Sequence, residues 1–275
     1  MATKTMRAGG AAQVQDRPIP IRTITNDDLR FALRRGLDDF LTMRGDILIA
    51  GLVYTLVGIA AVVMTTNRPL IPFLFPIVAG VGLLGPVAAV GFYELARRRE
   101  NGHQSNWSHF FDVLKRPAAD DMGMVAGLLM LIFFLWLLAA GAVYGLLFGW
   151  ATPTSITGFL SSVLTTPRGW ALIILGAVVG AAFAWAVLSL SVASMPMLVD
   201  CDVSASEAVS ASWRAAKANR RLMFKWGLIV AGLLVLGIAP VFVGLAFVLP
   251  WLGYSTWHLY TRLIDRDAIP GRRCD

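Results

Sequence analysis

Charge is what this sequence has least of. Only 15% of its 275 residues are Asp, Glu, Lys or Arg, against roughly 25% in soluble domains, whose surfaces must be solvated. With 57% hydrophobic residues and a mean hydropathy of +0.66, the shortfall excludes a water-soluble enzyme and points to a surface that meets lipid. Ionisable groups are scarcer still within the apolar stretches, and none of the 17 acids falls inside one. Proton relays and most membrane catalysis need such groups, so the sequence predicts no enzyme and no carboxylate-coupled pump. Histidine is limited to His103, His109 and His258, too few and too badly spaced for a haem or zinc site, and no cofactor is expected. No GxGxxG follows a strand, and a Walker loop and HExxH are absent, and with them the nucleotide and zinc-protease chemistries they serve. The N-terminus has no apolar h-region, so no cleavable signal peptide is expected. Cysteine occurs twice, as Cys201 and Cys274; both are assigned to the cytoplasmic side, where a disulfide is not expected. Asp200, Cys201 and Asp202 read as a polar turn ending a span more simply than as a metal site.

What the sequence does have is long apolar runs. Six are read as spans, at 47–66, 70–92, 122–150, 169–195, 224–236 and 241–259, mostly close to the ~20 residues that cross a bilayer core as helix. The last two are separated only by the Gly237–Pro240 turn. Of the 24 Lys and Arg, 22 lie in the N-terminal segment, the two long polar loops and the C-terminal segment, leaving Arg68 and Arg168 opposite. All the acids lie with the majority. By the positive-inside rule the N-terminus, both long polar loops and the C-terminus are cytoplasmic. The basic balance of +7 is thereby a topological property, and no nucleic-acid partner is expected.

The polar segments carry helical periodicity of their own. Leu29, Leu33, Leu37, Phe40 and Leu41 share one face before the first span, with a Thr25/Asp28 capping box. Trp107, Phe110, Phe111 and Leu114 recur before the third, and Ala208, Val209, Trp213 and Ala216 before the fifth, with a Ser204/Glu207 cap. IAGLV from Ile49 and VAGLL from Val125 and from Val230 follow these segments. The fold class is therefore an all-α polytopic membrane bundle of six transmembrane helices in three hairpins, each preceded by a cytoplasmic amphipathic helix. Residues 1–24 read as a flexible tail, 25–267 as the membrane domain and 268–275 as a C-terminal tail.

Three groups of residues are candidates for contacts. Gly141, Gly145 and Gly149 on the third span, and Gly176 and Gly180 on the fourth, have the small-xxx-small spacing that lets helices approach closely, within this bundle or against another subunit. Trp107, Phe110, Phe111 and Trp213 are candidate partner contacts, though their helices can equally form a collar on the protein's own span ends. Arg97, Arg98 and Arg99 read as a stop-transfer anchor or as a lipid-headgroup contact. Pro72, Pro76, Pro86 and Pro196 should interrupt their helices.

The proline-bearing second span followed by GFYELARRRENG (Gly91 to Gly102) and NWSHFF (Asn106 to Phe111), then MPMLVD (Met195 to Asp200) and the Trp213 helix, resembles a family of uncharacterised bacterial predicted integral membrane proteins, a domain of unknown function. The resemblance covers about Ile21 to Asp267 and implies a six-span protein. Some members carry a cytochrome c oxidase subunit label; the histidines of a catalytic oxidase subunit are missing here, so the resemblance implies at most an accessory role. The expected function is a non-catalytic accessory or assembly subunit of the bacterial inner (cytoplasmic) membrane, binding membrane lipids and other membrane-protein subunits such as those of a respiratory complex. The alternative is a transporter or channel for a neutral or apolar solute, lined by Tyr54, Tyr144, Ser189 and Ser191.

Overall fold

The computed structural model describes residues 18–43, 58, 63, 68–150, 152–240, 243–269 and 274. The first expected span, 47–66, lies almost wholly outside the described residues, as do Tyr54 and the first seventeen positions.

Helix α1, Asn26–Thr42, opens on the expected capping box: Thr25 and Asp28 satisfy each other's backbone donors. The second apolar run is broken as its prolines require. A 3₁₀ stretch Arg68–Phe73 holds Pro72, then come α2 (Leu74–Leu83), α3 (Gly85–Ala88, with Pro86 in its first turn) and α4 (Val90–Glu100). The amphipathic helix expected around Trp107 is instead two short 3₁₀ turns, Trp107–His109 and Asp112–Lys115. Pro117 stops a longer helix there, and the Phe110 ring sits over Gly91.

Helix α5 (Ala119–Phe148) leads through α6 (Ile156–Thr165) to α7 (Pro167–Ser191), which breaks at Val192–Ala193 before α8 (Ser194–Asp200). The break leaves backbone groups without helical partners, and Ser212 supplies them. Its hydroxyl donates to Ser189 O at 2.9 Å and accepts from Ala193 N at 3.1 Å, so both of these backbone groups are satisfied. Helix α9 (Ala205–Ala218) has the expected Ser204/Glu207 box, and α10 (Arg220–Ile238) and α11 (Leu245–Leu263) form the last hairpin.

Three described helical stretches are long and apolar enough to cross a membrane: Ala119–Phe148, Pro167–Asp200 and Arg220–Ile238. Little of their apolar surface is covered; only 6% of the most hydrophobic window of Pro167–Asp200 is buried. Leu131, Leu138 and Leu146 on α5, Ile174 and Val178 on α7, and Leu228 and Val235 on α10 all point outward. An exposed apolar surface of this extent is what a helix facing hydrocarbon requires. Helix α11, expected as a sixth span, is not among the three. It runs antiparallel to α1, with Phe40 near Phe247, Gly36 against Ser255 and Asp28 near Arg262. A bilayer covering all of α11 would also swallow the exposed Arg30, Arg34, Arg35 and Asp38 of α1, so the charged helix limits how much of α11 meets lipid.

The core lies at the other end of the molecule. There α4, α8, α9, the C-terminal half of α11 and one face of α1 bury Phe92, Leu95, Met195, Leu198, Ala211, Tyr254, Trp257 and Tyr260. Residues 18–24, expected as tail, are part of it. Ile19 and Ile24 are buried, Ile21 bridges Ile264, and Arg22 N donates to Leu263 O at 2.8 Å. Burial of Ile19 and Ile24, with the backbone bonds to Arg214 and Asn219, offsets the chain entropy of ordering the segment.

Candidate functional site

The buried end of the molecule is a hub where segments far apart in sequence are tied by polar side chains. Asn219, between α9 and α10, accepts from Ile24 N at 2.9 Å and donates to Arg22 O at 3.1 Å. Arg214 donates to Ile19 O at 3.1 Å. The N-terminal and C-terminal described segments therefore sit side by side on the same hub.

Three ionic clusters complete it. In the first, Glu94 is 2% exposed and accepts from Arg97 at 2.9 Å, Arg98 at 2.9 Å and Arg116 at 3.3 Å. Burial pushes the Glu94 carboxyl up, but the hydrogen bonds and charges of Arg97, Arg98 and Arg116 outweigh it and hold the group below its ordinary value. Arg98 also reaches Asp112 at 3.1 Å, and Lys115 binds Asp112 at 2.7 Å. The Lys115 hydrogen bond is the main reason Asp112 too lies below its usual range. In the second cluster, Asp39 meets His258 Nε2 at 2.7 Å and Arg99 at 3.2 Å.

The third cluster is the most deeply buried. Asp200, 1% exposed at the end of α8, accepts from the Tyr260 hydroxyl at 2.8 Å and lies 3.4 Å from Arg266. Arg266 is also paired with Glu100, which accepts from Trp257 Nε1 at 2.9 Å. Burial first, then the adjacent Asp200 carboxylate, raises the Tyr260 phenol well above its ordinary value, so it remains a donor at neutral pH. Beside Asp200, Cys201 and Cys274 form a disulfide across a local antiparallel bridge, with Cα atoms 4.1 Å apart. This corrects the expectation of two unpaired cysteines. The 73-residue separation hid it: the C-terminal segment returns to the hub and places Cys274 within bonding reach.

The expected contact residues are distributed unevenly. A Cβ on Gly141 would meet the Phe73 ring at 3.2 Å, and one on Gly180 the Trp136 ring at 3.1 Å. Gly145 faces Trp150, five residues on and just past the end of its own helix, and Gly149 ends α5 in a left-handed conformation with φ 66°. Gly176 has open space. Closer approaches occur at glycines outside these ladders: Gly36 against the Ser255 backbone, and Gly253 against Phe92. Phe110 packs edge-on to Phe92 and Phe111; Phe111 and Trp213 are largely exposed, and Trp107 lies in a described turn. Arg97, Arg98 and Arg99 are all engaged by protein carboxylates, with Arg99 37% exposed. Glu94, Asn219 and Ser212 were not singled out by sequence. Glu94 is signalled by its place one helical turn before Arg97 and Arg98; nothing local marks the other two.

An all-α integral membrane protein is the class that these helices define. Residues 74–200 match the model of a family of unknown function, predicted integral membrane protein DUF2189, which is the uncharacterised membrane family that the Gly91–Gly102, Asn106–Phe111 and Met195–Asp200 motifs resemble. The match covers α2 to α8, including the first ionic cluster and Asp200. No curated protein and no solved structure matches the chain significantly.

Proposed function

We propose that this chain is a non-catalytic integral protein of the bacterial inner membrane, an accessory or assembly subunit that binds partner membrane proteins or lipid. In this reading three hairpins, six limbs in all, hang from a cytoplasmic hub that gathers the first and last described segments. The observation that carries it is the contrast between the two ends. The hub's ionic side chains are neutralised by one another, while α5, α7 and α10 present long apolar flanks that the chain itself leaves uncovered. Uncovered apolar surface on spans suits lipid and helix–helix association, whereas transition-state stabilisation needs poised polar groups. Exposed Phe111 and Trp213 beside the hub add an aromatic surface of the kind that anchors protein contacts.

The transport reading asks for hydroxyls along a hydrated path. Tyr144 instead stacks on Phe148 with centroids 5.2 Å apart and meets Phe159, and Ser191 bonds Val187 O of its own helix at 2.6 Å. Those contacts favour the accessory reading. Purification of the tagged chain in mild detergent, followed by mass spectrometry, tests it. Stoichiometric partner membrane proteins are expected; a clean monomer or homo-oligomer that conducts solute after reconstitution would overturn it.

A further inference from the structure

One group in the third cluster is not accounted for by structure alone. Asp200 Oδ1 is buried and has no hydrogen-bond partner, although Oδ2 of the same carboxylate is held by Tyr260 and Arg266. Buried carboxylate oxygens ordinarily find a donor or a cation. Cys201 Sγ lies 3.7 Å from Asp200 Oδ2, and ligand atoms of Asp200, Cys201 and Cys274 all fall within 4.8 Å of one another. Metal–ligand bonds of about 2.0–2.3 Å put the donors of a tetrahedral site roughly 3.3–3.8 Å apart, and the 3.7 Å from Cys201 Sγ to Asp200 Oδ2 lies in that range, with Oδ1 of the same carboxylate the oxygen that has no partner.

We propose that Asp200, Cys201 and Cys274 form a redox-gated metal site: with the disulfide reduced, the two thiolates and the carboxylate bind one thiophilic divalent cation of the zinc class, and oxidation expels it. Reduction takes two electrons and two protons from two molecules of a low-molecular-weight thiol, which leave as their own disulfide. The protein then carries two S–H groups, whose protons pass to solvent when the metal binds. Two sulfurs and one oxygen are a donor set that suits zinc and leaves a fourth position for water. Charge favours the exchange. Two thiolates alone would add two negative charges to a buried site, and a divalent cation cancels both, restoring the net charge that the cluster of Asp200, Glu100 and Arg266 has in the oxidised form. Tyr260 and Arg266 hold the carboxylate in place as outer partners. That the reduced form prevails in the cell rests on the cytoplasmic placement of the hub proposed above; the chemistry of the site does not.

The test uses the full chain in mild detergent, stripped of metal, reduced with a phosphine and titrated with cobalt(II) alone. One equivalent should bind with a thiolate-to-cobalt charge-transfer band, which excess zinc or reoxidation abolishes. Cys274→Ser, half-buried near the chain's end, should lose the band without loss of fold, which keeps the test valid if Cys201→Ser misfolds. Asp200→Asn should weaken binding at least about tenfold. No band in reduced protein whose two thiols both titrate as free, or an undiminished band in Cys274→Ser, overturns the proposal. Sidedness is read separately, with a membrane-impermeant thiol reagent on reduced intact cells stripped of their outer envelope. Labelling from outside together with cobalt binding in detergent leaves the site standing and removes the cytoplasmic assignment.

Discussion

Asp121, in the first turn of α5, accepts the backbone N–H of Ala205, the first residue of α9, at 2.7 Å across 84 positions of sequence. Between them the chain runs through α5 and α7, two span-length apolar helices. One carboxylate thus closes the base of a hairpin and caps the N-terminus of the next helix, where negative charge is favoured by the helix dipole. Asp121→Ala should lower stability by about 1–2 kcal/mol, the range for loss of a charged cap. Asp120→Ala, at the exposed neighbouring position, should change it by less than about 0.5 kcal/mol. Thermal unfolding of both variants in one detergent checks the difference.

Glu94→Gln removes the acid that Arg97, Arg98 and Arg116 share at the centre of the first cluster. Removing the buried charge that these partly buried cations share should cost about 3 kcal/mol. The pH dependence follows from the depressed native value. Glu94 contributes its full stabilisation above its ordinary value of 4.5, and that contribution fades as pH falls through the lower native value. Melting temperatures taken from pH 7 downward should therefore converge for the native chain and the variant at acid pH. Parallel curves would count against the buried pairing.

Gly36→Ala places a methyl 2.5 Å from Ser255 N and 2.7 Å from its Cα, and backbone atoms cannot step aside. Helices α1 and α11 must part, at a cost of about 1–3 kcal/mol. Gly176→Ala meets nothing within 4 Å and should be neutral or stabilising by up to about 1 kcal/mol in the isolated chain, since Ala is the better helix former. Thermal melts distinguish the two directly. If Gly176→Leu leaves the melt unchanged but removes a co-purified membrane protein, that face of α7 is a contact with another subunit.

Trp213→Ala should leave the melting temperature within about 1 °C of the native chain, because the ring is nearly half exposed at 47%. Recovery of partners in the mild-detergent pull-down should fall at least tenfold, as expected of an exposed aromatic anchor worth about 1.4 kcal/mol or more. Quantitative mass spectrometry of the two preparations measures this.

What sequence disclosed was what is encoded locally. The Thr25/Asp28 and Ser204/Glu207 boxes could be read because cap and partner are three residues apart, and the broken second run because proline forbids the helical hydrogen bond wherever it sits. Pairings across the hub could not. Nothing near Arg99 announces Asp39, and nothing near Cys201 announces Cys274, because those contacts exist only once the polar segments converge. The glycine ladders are a third case, with Gly141 and Gly180 against neighbouring rings and Gly176 in open space. Small-xxx-small spacing marks a face on which close approach is possible, and Gly176 shows that the face can remain uncovered while Gly36, outside any ladder, lies against the backbone of another helix. Helix α11 reads as a span by length, but the charged helix that packs along it is visible only in three dimensions.

The one-sided hub is best tested by mapping sidedness along the chain. Reporter fusions placed after residues 24, 115, 160, 218, 240 and 275 report whether each point faces the cytoplasm. The three-hairpin reading predicts cytoplasmic signals at 24, 115, 218 and 275 and external signals at 160 and 240. An external signal at any of the first four would separate segments that the hub joins through Arg22, Asn219 and Leu263, and would contradict it.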